Sequence, residues 1–119
     1  MSERAEVERA IGLYFEAINS NDVSITPLAE DMVISGPMMP EPINGAAAVR
    51  QYLDETSPFM ARIEPKTTII EGERVAVIVE FEGLNGVIFE GVEIFRVSNG
   101  LICSAQIFFD TRPLFKGTS

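Results

Sequence analysis

From Lys66 to Phe109 apolar and polar side chains largely alternate with a period of two, with breaks at Glu71-Gly72-Glu73, Leu84-Asn85-Gly86 and Ser98-Asn99-Gly100. Such alternation marks half-buried strands, and short glycine-bearing breaks mark hairpin turns. The stretch therefore predicts four antiparallel strands joined by tight loops. Val75, Val77, Val79 and Phe81 share a face of the second strand. Val87, Phe89, Gly91, Glu93, Phe95 and Val97 share a face of the third, and Leu101, Cys103, Ala105, Ile107 and Phe109 a face of the fourth. Three-residue loops pair odd positions with odd positions and put the three rows on one sheet face. A two-residue Asn99-Gly100 turn would instead set Glu93 opposite Gln106 and turn the fourth row outward, so the longer loop is expected.

The N-terminal half has a different period. Val7, Ala10, Ile11, Tyr14, Phe15 and Ile18 form one apolar helical stripe, ended by Asn19-Ser20-Asn21-Asp22. Asp22 is placed to cap a short second helix through Ala29, and Met32-Val33-Ile34 reads as a brief strand. Gly36 to Pro42 holds three prolines and is an apolar loop. Asn44-Gly45 opens a third helix, Ala46 to about Glu55, with Val49 and Leu53 inward, and Pro58 closes it. The result is an α+β fold, one domain over 1–119, in which a curved antiparallel sheet wraps around about three helices and encloses an apolar pocket. The other sheet face carries Ala76, Ile78, Val92, Ile94, Ile102 and Phe108 among its charges, and no element remains to cover it. A homodimer through this outer face is the economical expectation.

Composition removes several classes of function. With 18 acids against 9 bases the net charge is −9, which repels phosphate backbones and anionic lipid, so neither nucleic acid nor membrane is expected as a partner. The chain has no histidine, which excludes Ser-His-Asp and Cys-His catalysis; with no cluster of acids at ligand spacing either, no metal site is expected. A phosphate-cradling glycine loop is absent, so no cofactor is expected. One cysteine, Cys103, no apolar leader run and no bilayer-length apolar segment read as cytoplasmic. Lys66 and Lys116 read as solvated.

Two residues carry the chemistry. Glu93 is the lone charge on the inner row of its strand, between Gly91 and Phe95. Unless Arg62 or Arg50 pairs with it, or water reaches it, burial raises its pKa and leaves a neutral acid able to donate to a ligand carbonyl. Tyr14 sits on the apolar stripe of the first helix, where its hydroxyl needs a partner. A phenol and a protonated carboxyl aimed at one point form an oxyanion hole.

The Leu13-to-Asp22 helix end, the Asn44-Gly45-Ala46-Ala47-Ala48-Val49 helix start, the Glu93-Ile94-Phe95-Arg96 strand and the closing Phe108-Phe109-Asp110 resemble the nuclear transport factor 2-like superfamily. The resemblance is closest to its ketosteroid isomerase and SnoaL-like branch. It implies a cone-shaped fold, frequent dimers, and a pocket that hosts isomerases, cyclases, epoxide hydrolases, dehydratases or inactive binders. Tyr14 matches the isomerase's oxyanion tyrosine and Glu93 the acid that shares the oxyanion. The isomerase's aspartate base should fall near Ser35-Gly36, where this chain has no carboxylate. By the same resemblance Asp110, near the pocket mouth, is a candidate base, although its even position points it away from the inner face unless the strand twists or bulges there; Glu41, in the apolar Pro-rich loop, is the other candidate. Phe15, Met38, Phe89, Phe95, Ile107 and Phe109 are the expected substrate contacts. The implied activity is isomerase- or cyclase-like, on a small apolar carbonyl compound, by oxyanion stabilisation. The alternative is a non-catalytic ligand-binding or dimerisation domain of the same fold.

Overall fold

The protein is described by a computed structural model covering residues 3–112; Lys116 lies outside the described residues. Helix α1 spans Glu3–Ser20 and buries Val7, Ala10, Ile11, Tyr14, Phe15 and Ile18, the expected stripe. Asn19 at its end fixes where the helix sits on the sheet. Its Nδ2 donates to the Ile63 carbonyl at 2.8 Å while its Oδ1 accepts from the Ile63 amide at 2.9 Å. Asp22 does cap a turn, accepting from the Ser24 amide and hydroxyl. That turn, however, is a single 3-10 turn, Val23–Ile25, and not a helix to Ala29. The reason is Pro27, which forces the preceding Thr26 into an extended conformation with ψ 126°.

Strand β1 (Leu28–Ser35) follows at once, then the Pro-rich loop, β2 (Ile43–Asn44) and helix α2 (Ala46–Thr56). Gly45, at φ 97°, makes the tight entry into α2, a backbone angle that suits glycine. A 3-10 turn at Ser57–Phe59 leads to β3 (Met60–Glu71), β4 (Arg74–Gly83), β5 (Ile88–Ser98) and β6 (Leu101–Phe109). The sheet has six strands in the order β2-β1-β6-β5-β4-β3, with β1 parallel to β6 and the other pairs antiparallel. The expected four-stranded, wholly antiparallel sheet and the short second helix are thus corrected to a mixed, curved, open six-stranded sheet on two α-helices among the described residues. β3 also begins before Lys66. It tolerates Pro65 because it is an edge strand and shifts register between Pro65 and Thr67.

The β5–β6 hairpin resolves the question of register in an unexpected way. The turn has two residues, Ser98 pairing with Leu101, and Asn99 and Gly100 both at positive φ (53° and 76°), as a type I′ turn demands. A bulge then intervenes: Val97 faces Ile102 and Arg96 faces Ser104, which leaves Cys103 over. Beyond it odd positions face odd positions, Phe95 with Ala105 and Glu93 with Ile107. Ile102 therefore takes the buried place on the inner face, while Leu101 is exposed and Cys103 half-buried. On β4 and β5 the expected pairing holds: Val75, Val77, Val79 and Phe81 face Phe95, Glu93, Gly91 and Phe89. The core lies between this inner face and α1 with α2.

Candidate functional site

A cavity of about 150 Å³ opens at one end of the inner face, between the end of α2, the loop after β1 and strands β3 to β6. Its wall is mainly apolar, built from side chains such as Ile18, Leu53, Ile63, Phe81, Phe89 and Ile107. Phe81, Phe89 and Phe109 close one side as a cluster with ring centroids 5.4 to 5.8 Å apart. Gly91 makes that cluster possible. A Cβ there would stand 2.6 Å from the Phe108 carbonyl oxygen and 3.0 Å from the Phe81 ring. The strand at this point has room for backbone alone.

Glu93 borders the cavity and is 1% exposed. Tyr14 is equally buried, and its hydroxyl donates to Glu93 Oε1 at 3.1 Å. Oε2 has no hydrogen-bond partner. Neither arginine that could have neutralised Glu93 reaches it. Arg50 donates to the Thr26 carbonyl, and Arg62 pairs on the outer face with Glu64, Glu80 and Glu82. Burial therefore dominates and pushes the Glu93 carboxyl up to about 7, although the Tyr14 hydrogen bond pulls the other way. Near neutrality the group is divided between a neutral acid that can donate and a carboxylate that can accept. Burial, then the adjacent Glu93 charge, holds the Tyr14 phenol well above its usual value, so it stays a donor. Phe15 and Phe95 meet the Tyr14 ring edge-on at 5.2 and 5.0 Å and hold it in place.

The model of the SnoaL-like domain matches residues 11–105 of this chain. The chain belongs to the SnoaL-like domain family. This SnoaL-like chain matches no curated protein. Among solved structures it is similar to a Mycobacterium tuberculosis LEH-like epoxide hydrolase, with TM-score 0.81 and 21% identity over 95% of this chain and 89% of that one. A nuclear transport factor 2-like protein of unknown function from Mesorhizobium loti gives TM-score 0.81 and 19% identity over 92% and 95%. TerC, co-crystallised with polyporic acid, gives 0.78 and 18% over 93% and 96%. At these identities the neighbours establish the fold.

On that SnoaL-like scaffold the candidate residues separate into groups. Tyr14, Glu93, Met38, Phe89, Ile107 and Phe109 line the cavity. Phe15 and Phe95 do not; they are buried behind Tyr14, where they steady its ring and make no wall. Asp110 is also absent from the wall. It is exposed just past the end of β6 and binds Arg112 through both carboxylate oxygens, as its even register position favours. Glu41 is exposed and outside the wall as well. Gly36 borders the cavity where the resemblance places a base, and even a Cβ there would come within 3.3 Å of Ile107 Cβ. Lys66 is not merely solvated, for it bridges Glu64 and Glu80 at 3.2 Å each.

Tyr52 is the residue that the sequence reading missed. It lines the cavity, and burial followed by the Glu93 charge raises its phenol above the usual value. Its place three residues after the inward Val49 was the available signal. Thr56 and Ser57 complete the polar part of the wall. Both hydroxyls are already engaged, Thr56 with the Tyr52 carbonyl at 2.8 Å and Ser57 with Asn21 Oδ1 at 3.0 Å.

Proposed function

We propose that this SnoaL-like domain holds a small, mainly apolar, carbonyl-bearing molecule and stabilises negative charge on its oxygen through Glu93. The observation that carries the reading is Glu93 itself: a carboxyl out of water, on the wall of an apolar cavity, with one oxygen held by Tyr14 and the other without a partner. A buried polar atom left without a partner is costly, and a ligand oxygen at Oε2 removes that cost. In the neutral form Glu93 donates to the ligand oxygen. Tyr14 supports that role by fixing the carboxyl, and Tyr52 is a second phenol able to reach the same ligand. A volume of about 150 Å³ suits a molecule of about one ring. Larger compounds would extend past Met38, which is 53% exposed at the loop. That an epoxide hydrolase and a protein co-crystallised with polyporic acid share the fold supports a small-molecule pocket.

The decisive experiment follows the Glu93 side-chain carbon by NMR through a pH titration, with and without a substituted phenol as an oxyanion mimic. The expected result is a midpoint of about 7, displaced when phenol binds, and phenol affinity reduced in Glu93→Gln. A midpoint in the ordinary carboxylate range with no phenol bound would sink the reading. The second reading, a binder without chemistry, is favoured by the cavity wall, where Glu93 is the sole carboxylate among the described residues. Exchange of the α-protons of bound cyclohexanone into heavy water separates the two. Exchange faster than in buffer, and lost in Glu93→Gln, supports catalysis; binding without accelerated exchange supports the plain binder.

A further inference from the structure

Three methionines stand where the cavity wall meets solvent. Met38 and Met39 come from the loop after β1 and Met60 from the start of β3; the first is exposed and the other two are half-buried. Unbranched thioether side chains adapt to a flexible guest. Beyond Met60 the surface stays apolar. Phe59 and Leu84 are 72% and 67% exposed, more than any other large apolar side chain among the described residues. The register brings them together, because Met60 faces Gly83 and these two are the next residues outward from that pair. Both ride on fixed turns. The Met60 amide donates to the Ser57 carbonyl and closes the turn that carries Phe59. At Leu84 the Gly83 amide donates to the Val87 carbonyl at 2.9 Å, and the Gly86 amide to the Gly83 carbonyl at 3.0 Å. The turns at the far end of the sheet, Glu71-Gly72-Glu73 and Ser98-Asn99-Gly100, are polar. Of the two ends, the one at the cavity mouth carries the apolar turn, and an exposed apolar patch beside a cavity marks a binding surface.

We propose that the ligand is a one-ring compound whose oxygen meets Glu93 and whose unbranched alkyl chain, attached across the ring from that oxygen, leaves between the methionines and lies on Phe59 and Leu84. The inference rests on the reading of Glu93 given above and names the part of the ligand that the cavity does not hold. A volume of about 150 Å³ is filled by the ring. Glu93, 1% exposed, stands at the buried end, so a substituent on the far side of the ring points outward. From Phe81 on the wall to Leu84 is three residues, about 10 Å along the strand, a span that a chain of about six to eight carbons covers. Arg62, two residues after Met60, is taken up by Glu64, Glu80 and Glu82 and is not free to hold an acidic chain end, so the chain is uncharged. The net charge of −9 makes an anionic lipid surface a poor occupant of the same rim.

The test titrates phenol and its para-ethyl, para-butyl and para-hexyl derivatives into the full chain at about pH 6, below the Glu93 value of about 7, with the Glu93 side-chain carbon followed by NMR. The dissociation constant should fall by about threefold for each methylene added from ethyl to hexyl. F59S/L84S should weaken para-hexylphenol by about tenfold and leave phenol within about twofold, and that retained phenol binding also shows the variant to be folded. Affinities that stay flat beyond ethyl overturn the proposal and leave the Glu93 reading standing. A chain that binds neither phenol nor its derivatives sinks both. F59S/L84S that keeps the full wild-type gain with chain length also overturns the proposal, and a change in its sedimentation would then assign the rim to a second copy.

Discussion

Glu93 and Glu80 belong to neighbouring strands of one sheet and differ in the face they occupy. Glu80 looks outward, where hydrogen bonds from Lys66 first, and then the charges of Lys66 and Arg62, hold its carboxyl below the usual value. Glu93 looks inward, receives one hydrogen bond from a neutral phenol and no cation, and is pushed up to about 7. Water and basic side chains make the first an ordinary surface ion. Their absence makes the second a group that can change protonation near neutrality. Charge on the outer face serves contacts along the surface, while charge on the inner face is a strain that a ligand can relieve.

The largest expected effect tests how tightly the inner face is built. Gly91→Ala puts a methyl group against the Phe108 carbonyl oxygen, which cannot rotate away. It should cost about 3 kcal/mol or more in urea denaturation. A loss well under about 1 kcal/mol would show that the strand can flex and that the aromatic cluster is not held by shape.

Glu93→Gln should follow. Because the folded pKa lies above the unfolded one, the folded state binds the extra proton, so wild-type stability is complete below the unfolded value of 4.5 and falls as the pH rises to about 7. The fall should total about 3 kcal/mol. Urea midpoints across this range should slope downward for wild type and lie nearly flat for Glu93→Gln. The same slope in both would break the contrast between the faces. Tyr14→Phe removes the hydrogen bond that lowers Glu93, so the carboxyl should titrate higher still by carbon NMR, with a stability loss of about 1 kcal/mol. The smallest effect belongs to Glu80→Gln. Its contribution exists above the ordinary carboxylate range and is lost as the pH falls, and its melting point should stay within error of wild type in added salt.

Much of this arrangement was legible in the sequence because it is local. Period two on β4 and β5 placed Val77, Glu93 and Phe95 inward, and period 3.6 on α1 placed Tyr14 inward. Misreadings arose from one local rule left unapplied and from places that depended on something distant. Pro27 cut the second helix short through its effect on Thr26, a rule local enough to have been applied. Of the strand from Leu28 only the Met32-Val33-Ile34 part was read, because its first half and its pairing are completed by β6 lying parallel to it from far along the chain. The Cys103 bulge is equally silent, since nothing in Ile102-Cys103-Ser104 marks one residue as surplus until both faces must be satisfied.

The candidate site divides along the same line. Sequence alone determined that a carboxyl and a phenol would both face inward, since side-chain direction along a strand or helix follows from backbone geometry within a few residues. Tertiary structure decided that these groups, 79 residues apart, share a hydrogen bond, that no arginine reaches them, and that Phe15 and Phe95 brace Tyr14. Those outcomes rest on distances between elements. Close packing and the exclusion of water from the whole fold set them, and no short stretch of chain contains that information.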